Sequence, residues 1–162
     1  MNERPFRIAA VRTADDLEAV AALFEAYAAS LSVDLGYQGF AEELAGLPGK
    51  YAPPAGALLL ASEPLGHALG CVALRPMPRE ACCEIKRLYV SPAARGLGLG
   101  HALIAAILDA APAIGYREAR LDSLPDMEAA IALYRKAGFA PIAPYYDSPV
   151  QGTIFLGRAL GA

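Results

Sequence analysis

The chain has 162 residues, a length that suits one domain spanning 1–162. Hydrophobic residues make up 56% and charged residues 19%, so a packed core is within reach and wholesale disorder is excluded. The net charge is −3 and the 14 Lys and Arg are scattered, which leaves no basic footprint for nucleic acid.

Alanine inflates the hydrophobic share, with 35 Ala against five Phe and no Trp. A mean hydropathy of +0.33 calls for a check on membrane spans. The most apolar stretch, Ala102–Ile114, is broken by Asp109 and Pro112 and falls short of the roughly 20 residues a bilayer demands, so no membrane association is expected. Met1–Pro5 shows no apolar leader, and the expectation is a cytoplasmic protein. Three cysteines, Cys71 and the adjacent pair Cys82 and Cys83, suggest no disulfide framework. With only His67 and His101 besides, no metal site is expected.

Arg7–Val11 reads as a strand. Thr13 opens a helix, with Asp16 three residues on as a capping-box partner. Leu17, Val20, Ala21, Phe24, Ala28 and Leu31 fall on its apolar face. A shorter helix spans Phe40–Leu47 and stops at Pro48-Gly49. Three strand-like runs follow, Ala57–Ala61, Ala68–Leu74 and Cys82–Val90, as an antiparallel meander. Then come a glycine-rich loop over Ser91–Gly100, a helix over Leu99–Ala111, a strand over Arg120–Leu124 and a helix over Glu128–Ala137 with Gly138 at its C′ position. Phe139–Ile142 and Thr153–Leu156 close the chain as strands. The order is mixed α/β, meander first and crossovers second.

The glycine loop carries the most information. In Arg95-Gly96-Leu97-Gly98-Leu99-Gly100, every second Cβ is missing, so the backbone can approach an anion closely. The loop and first-turn N–H groups lack intrahelical partners, and the helix dipole adds about half a positive charge. Arg95 adds a full one. The combination makes a pyrophosphate cradle. A P-loop would end in Gly-Lys-Ser/Thr, but here the run is Gly100-His101-Ala102. A dinucleotide fingerprint needs G-x-G-x-x-G after the first strand of a parallel sheet, and the spacing here is G-x-G-x-G after three meander strands.

The loop resembles the R/Q-x-x-G-x-G/A loop of the GNAT superfamily, the acyl-CoA-dependent N-acetyltransferases. Lys86-Arg87-Leu88-Tyr89-Val90-Ser91-Pro92 resembles the family's fourth strand. Ala129-Ala130-Ile131-Ala132-Leu133-Tyr134-Arg135-Lys136-Ala137-Gly138-Phe139 resembles its A-x-x-L-Y-x-K-x-G-F segment. The element order agrees over nearly the whole chain. This resemblance implies a GNAT-type, mainly antiparallel sheet whose fourth and fifth strands splay apart, with acetyl-CoA as cosubstrate and no metal.

By position, the resemblance places Leu88, Tyr89 and Val90 along the pantetheine arm. Arg95, Gly96, Leu97, Gly98, Leu99 and Gly100 fall around the pyrophosphate. Tyr134 takes the general-acid position; the alternative is a ring packed on the sheet with its hydroxyl at the edge. Glu84 is the first candidate for the base, with an exposed pair to Lys86 as its alternative. Asp122 and Asp126 are weaker candidates, and Asp126 also reads as an N-cap. Where relatives carry Asn seven residues before the tyrosine, this chain has Met127, so Ser123 is the candidate to supply that cofactor contact. His101 and Lys136 could touch phosphate but read more simply as solvated surface groups, as does His67 in its hairpin turn.

Tyr145, Tyr146 and Asp147, with Tyr37, would form a wall for a cationic acceptor amine. The implied reaction is acetyl transfer to a primary amine of a small molecule by direct attack in a ternary complex. A non-catalytic acyl-CoA sensor of the same fold is the alternative, with a scaffold-only interaction domain behind it. A homodimer is a further possibility that the family suggests.

Overall fold

A computed structural model describes residues 5–161. The leader-free reading of Met1–Arg4 lies outside them. Among the described residues no helix is long and apolar enough to cross a membrane.

The first strand, β1 (Arg7–Ala10), leads into α1 (Ala14–Ser30) through the capping box the sequence foretells. The Thr13 hydroxyl accepts from the Asp16 N–H at 3.1 Å, and the Asp16 carboxylate accepts from the N–H groups of Thr13 and Arg12. Its deepest side chains are Val20, Leu23 and Phe24, so the buried face is centred nearer Leu23 than Ala21. Next come a short α2 (Phe40–Ala45) and the meander of β2 (Ala57–Ser62), β3 (Ala68–Pro76) and β4 (Cys82–Val90). α3 (Leu99–Ile114) crosses to β5 (Glu118–Ser123), and α4 (Glu128–Lys136) precedes β6 (Ala140–Pro141) and β7 (Ile154–Ala159).

Several boundaries differ from expectation, each for a local reason. α3 runs past Pro112 to Ile114 and ends at Gly115, whose φ of +122° suits glycine and whose N–H bonds the Ala111 and Pro112 carbonyls. β5 starts two residues early and β7 runs three residues longer. The two pair antiparallel from Glu118↔Ala159 to Ser123↔Ile154, and this long ladder fixes both. β6 is only two residues long, and Pro141 lacks an N–H for the ladder. Asp126 is not an N-cap: Met127 holds that position without a side-chain cap, and the Asp126 carboxylate accepts from the Ser32 hydroxyl.

The seven strands run β1-β2-β3-β4-β5-β7-β6, antiparallel except for the β4–β5 pair. Leu99, Leu103 and Ile107 of α3 pack one face of the sheet, and Val20 and Phe24 of α1 with Tyr51 pack the other. Each such side chain contributes about 1.5–3 kcal/mol by leaving water.

One irregularity shapes everything functional. β4 pairs with β3 along its whole length but with β5 only from Cys82 to Glu84. Ala73 sits opposite Lys86 while Cys71 sits opposite Tyr89, so β4 carries an extra residue there. Arg87 in this bulge takes φ +61°, the left-handed region that a side chain disfavours. Beyond Glu84, β5 stays with β7 and β4 with β3. The two strands part, and the β5-facing edge of β4 from Ile85 to Val90 has no ladder partner among the described residues.

Candidate functional site

The parted strands open onto a cleft of about 620 Å³. Leu88, Tyr89 and Val90 form one side, and Met127, Ala130 and Leu133 of the α4 region the other. The glycine turn closes one end. Gly96 (φ +86°) and Gly98 (φ +76°) are left-handed, and a Cβ on either would stand in open space with nothing within 4 Å. Gly98 is also the N-cap of α3, so the orphan first-turn N–H groups lie at the cleft wall. A Cβ on Gly100 would come to 2.9 Å from Leu133 Cδ1. Arg95 is exposed and lines the cleft. The turn is therefore a bare main-chain cradle with one cation beside it, open enough to take a diphosphate. Leu97 points away and is exposed, whereas the Leu99 side chain is buried in the core and leaves only backbone to the cleft.

A smaller cavity of about 30 Å³ lies where the strands begin to part. Tyr134, Asp122, Ser123, Lys86 and Arg87 line it, and Tyr27 and Leu88 line both it and the cleft. Tyr134 is 8% exposed, its ring edge-on to Phe139 at 5.9 Å. Burial pushes its phenol above the usual value, so the proton stays on at neutral pH. The Ser123 hydroxyl donates to the Leu124 carbonyl at 3.1 Å and opens on this cavity rather than on the cleft.

A network of charges that no local sequence pattern signals surrounds this point. Arg87 is buried, and its guanidinium forks onto Glu43 of α2 at 2.9 and 3.2 Å and donates to Gln38 at 2.8 Å. It also lies 5.2 Å from the Phe40 ring centroid and 5.9 Å from that of Tyr27. Lys86 donates to Gln38 at 3.1 Å and pairs with Asp122 at 3.3 Å. Tyr146 donates to the other Asp122 oxygen. Burial alone would raise the Asp122 carboxyl; Lys86 and the Tyr146 hydroxyl outweigh it and hold the group below its ordinary value.

Glu84 is buried, not exposed, and Lys86 is not its partner. Arg75 grips its Oε1 from Nε and Nη2 at 2.9 Å each, and the Tyr145 hydroxyl donates to Oε2 at 2.6 Å. Tyr145, Tyr146 and Phe155 form an aromatic cluster with centroids 5.1–5.7 Å apart. With Tyr37, the two tyrosines line a further cavity of about 350 Å³, and the exposed Asp147 is not part of its wall. His67 is exposed and meets Glu63 at 2.6 Å; Lys136 is exposed on α4. His101, also exposed, lies on the cleft rim. All three cysteines are free and buried.

Comparison with known proteins places this geometry. Residues 17–139 match the model of the Acetyltransferase (GNAT) family. An uncharacterised N-acetyltransferase of Schizosaccharomyces pombe (strain 972 / ATCC 24843) is 39% identical over 149 residues, 92% of this chain and 91% of that one. An IAA acetyltransferase of Azospirillum brasilense is 36% identical over 98 residues, 59% of this chain and 63% of that one. The crystal structure of a GNAT-family acetyltransferase from Staphylococcus aureus Mu50 superposes with a TM-score of 0.78 at 17% identity, covering 96% of this chain and 99% of that one, a likeness of fold. The parted β4–β5 pair, the glycine turn and the matched span from α1 to the end of α4 together make this chain an acyltransferase of the GNAT family of N-acetyltransferases.

Proposed function

We propose that the protein transfers an acetyl group from acetyl-CoA to the primary amine of a small molecule by direct attack in a ternary complex. The observation that carries this reading is the unpaired β4 edge from Ile85 to Val90, which runs along a cleft ending in bare glycine N–H groups. Leu88 and Val90 offer backbone groups to a pantetheine arm, and the turn from Arg95 to Gly100 offers donors to the diphosphate. Acetyl-CoA supplies the activated thioester when bound.

This chain's residues then have three tasks. A β4 N–H beside the bulge stabilises the charge that develops on the thioester oxygen; one such donor is worth about 3 kcal/mol of barrier. As the C–N bond forms and the C–S bond breaks, Tyr134 gives its proton to the departing sulfur, and its phenol recovers a proton from solvent. The amine's proton passes to a carboxylate or to water. Both carboxylates have their two oxygens engaged, Glu84 by Arg75 and Tyr145 and Asp122 by Lys86 and Tyr146, but Asp122 shares the cavity with Tyr134 whereas Glu84 lines the next one, so proximity favours Asp122 over Glu84 as the group facing the amine. Ser123 opens on the small cavity and Met127 on the cleft, so Ser123 does not take over the cofactor contact missing at Met127.

The test is thiol release from acetyl-CoA across a panel of amines, with Tyr134→Phe, Asp122→Asn and Glu84→Gln. Amine-dependent release that falls sharply in Tyr134→Phe is the expected result. Tight coenzyme A binding with no release from any amine would move the protein to the sensor reading.

A further inference from the structure

The cavity of about 350 Å³ beyond the transfer point adjoins the small one, and Tyr37, Gln38 and Lys86 line both. Its wall holds three cations, Lys50, Arg75 and Lys86, against a single carboxylate, Glu84. That carboxylate is spent on Arg75 and Tyr145. Asp122 and Glu43, the other acids of the network, do not line it, although Asp122 holds Lys86 and Tyr146 from behind, and Asp147 stands outside. The adjoining cavity of about 340 Å³ shares Lys50 and Arg75 with this one and adds Glu42 and Glu43 to its wall. Arg75 pairs with Glu84 and Lys86 with Asp122, so the unpaired positive charge of the wall among the described residues is that of Lys50.

The donors in that pocket are not exhausted. Lys50 is exposed and has no ion-pair partner among the described residues. Lys86 carries three N–H groups, of which Gln38 and Asp122 take two. Arg75 has five and gives two to Glu84, its reach to Glu43 being 4.0 Å. An ammonium group entering here meets like charge and no free acid. A compact anion meets three cations with donors to spare.

We propose that the acceptor is an amino carboxylate, a small amine that also bears a carboxylate, with the anion seated among Lys50, Arg75 and Lys86. This rests on the transfer reading above. With the anion so placed, the amine lies towards Asp122 and Tyr134. The same cations disfavour its protonated form, so the nitrogen arrives closer to the neutral state that attack requires, and less is asked of a base. The wall expected to greet a cation by its tyrosine faces instead holds those tyrosines with their hydroxyls turned onto carboxylates.

Thermal-shift and calorimetric titrations test this. Protein saturated with coenzyme A is titrated with N-acetyl amino acids and with their methyl esters, for the unaltered chain and for Lys50→Glu. The expected result is that at least one free acid binds about tenfold tighter than its ester, and that Lys50→Glu removes the difference by weakening the acid alone. Esters or N-acetyl diamines binding as tightly as any acid would overturn the proposal, as would a preference that Lys50→Glu leaves intact. The coenzyme A shift is read in the same run. Its absence would strike the transfer reading, and the acid–ester comparison on the free protein would then judge the anion pocket by itself.

Discussion

The proton-donor role proposed for Tyr134 depends on where α4 sets it down. Its ring is packed on Phe139 and its hydroxyl faces the cavity between the parted strands, so replacing it with Phe keeps the packing and removes only the proton. Tyr134→Phe is expected to lower kcat by about 10²–10³ while the acetyl-CoA KM and the melting temperature barely move; steady-state kinetics and a thermal scan check it. Arg87 is the opposite case, a residue whose burial is its role. A cation 4% exposed in left-handed backbone persists because Glu43, Gln38 and two aromatic faces hold it. Removing one partner leaves a buried charge uncompensated. Glu43→Gln is therefore expected to cost about 2–4 kcal/mol in urea denaturation, and Glu43→Gln combined with Arg87→Met less than that.

At the scale of elements, the glycine turn is open to a paired comparison. Gly98 (φ +76°) and Gly66 (φ +98°) occupy the same strained region, and neither would clash if given a Cβ. Ala at either position should therefore cost about 1 kcal/mol of stability from backbone strain. Only Gly98 lines the cleft. Gly98→Ala should raise the acetyl-CoA KM several-fold by intruding on the diphosphate path, whereas Gly66→Ala, in the β2–β3 hairpin, should leave it alone. The turn and the α1 cap were legible in the sequence because glycine spacing and a Thr–Asp pair act over a few residues. The charge network was not. Arg87 and Glu43 are 44 residues apart, Lys86 and Asp122 36, and Glu84 and Tyr145 61, and nothing in a local window records such pairs. The bulge was hidden too, since the residue at φ +61° is arginine rather than glycine. Asp126 misled because its carboxylate found Ser32 across the fold before it found its own helix.

Over the whole molecule, the buried ionisable groups set how stability answers to pH. Asp122 is held below its ordinary value, near 4, by Lys86 and Tyr146. Its contribution is fully present above that value and is withdrawn as pH falls towards the lower folded one; Asp122→Asn should be less stable at pH 7 and show a shallower acid limb. The alkaline side is governed by thiols. Burial pushes Cys71 and Cys83 up to about 12, against about 8.5 in an unfolded chain. The unfolded state then sheds protons that the folded state keeps, so stability is whole below about 8.5 and declines as pH rises towards 12. The loss is about 2 kcal/mol per thiol at pH 10. Buried phenols raised in the same way, Tyr51 and Tyr145 among them, steepen the decline above about pH 10. Urea midpoints measured from pH 7 to 11 should fall for the unaltered chain. The Cys71→Ala/Cys83→Ala double variant should start lower, because two buried side chains are cut back, and yet fall less between pH 8.5 and 10. Parallel curves for the two proteins would show that the thiols ionise in the folded state after all, and that the core around β3 and β4 admits water.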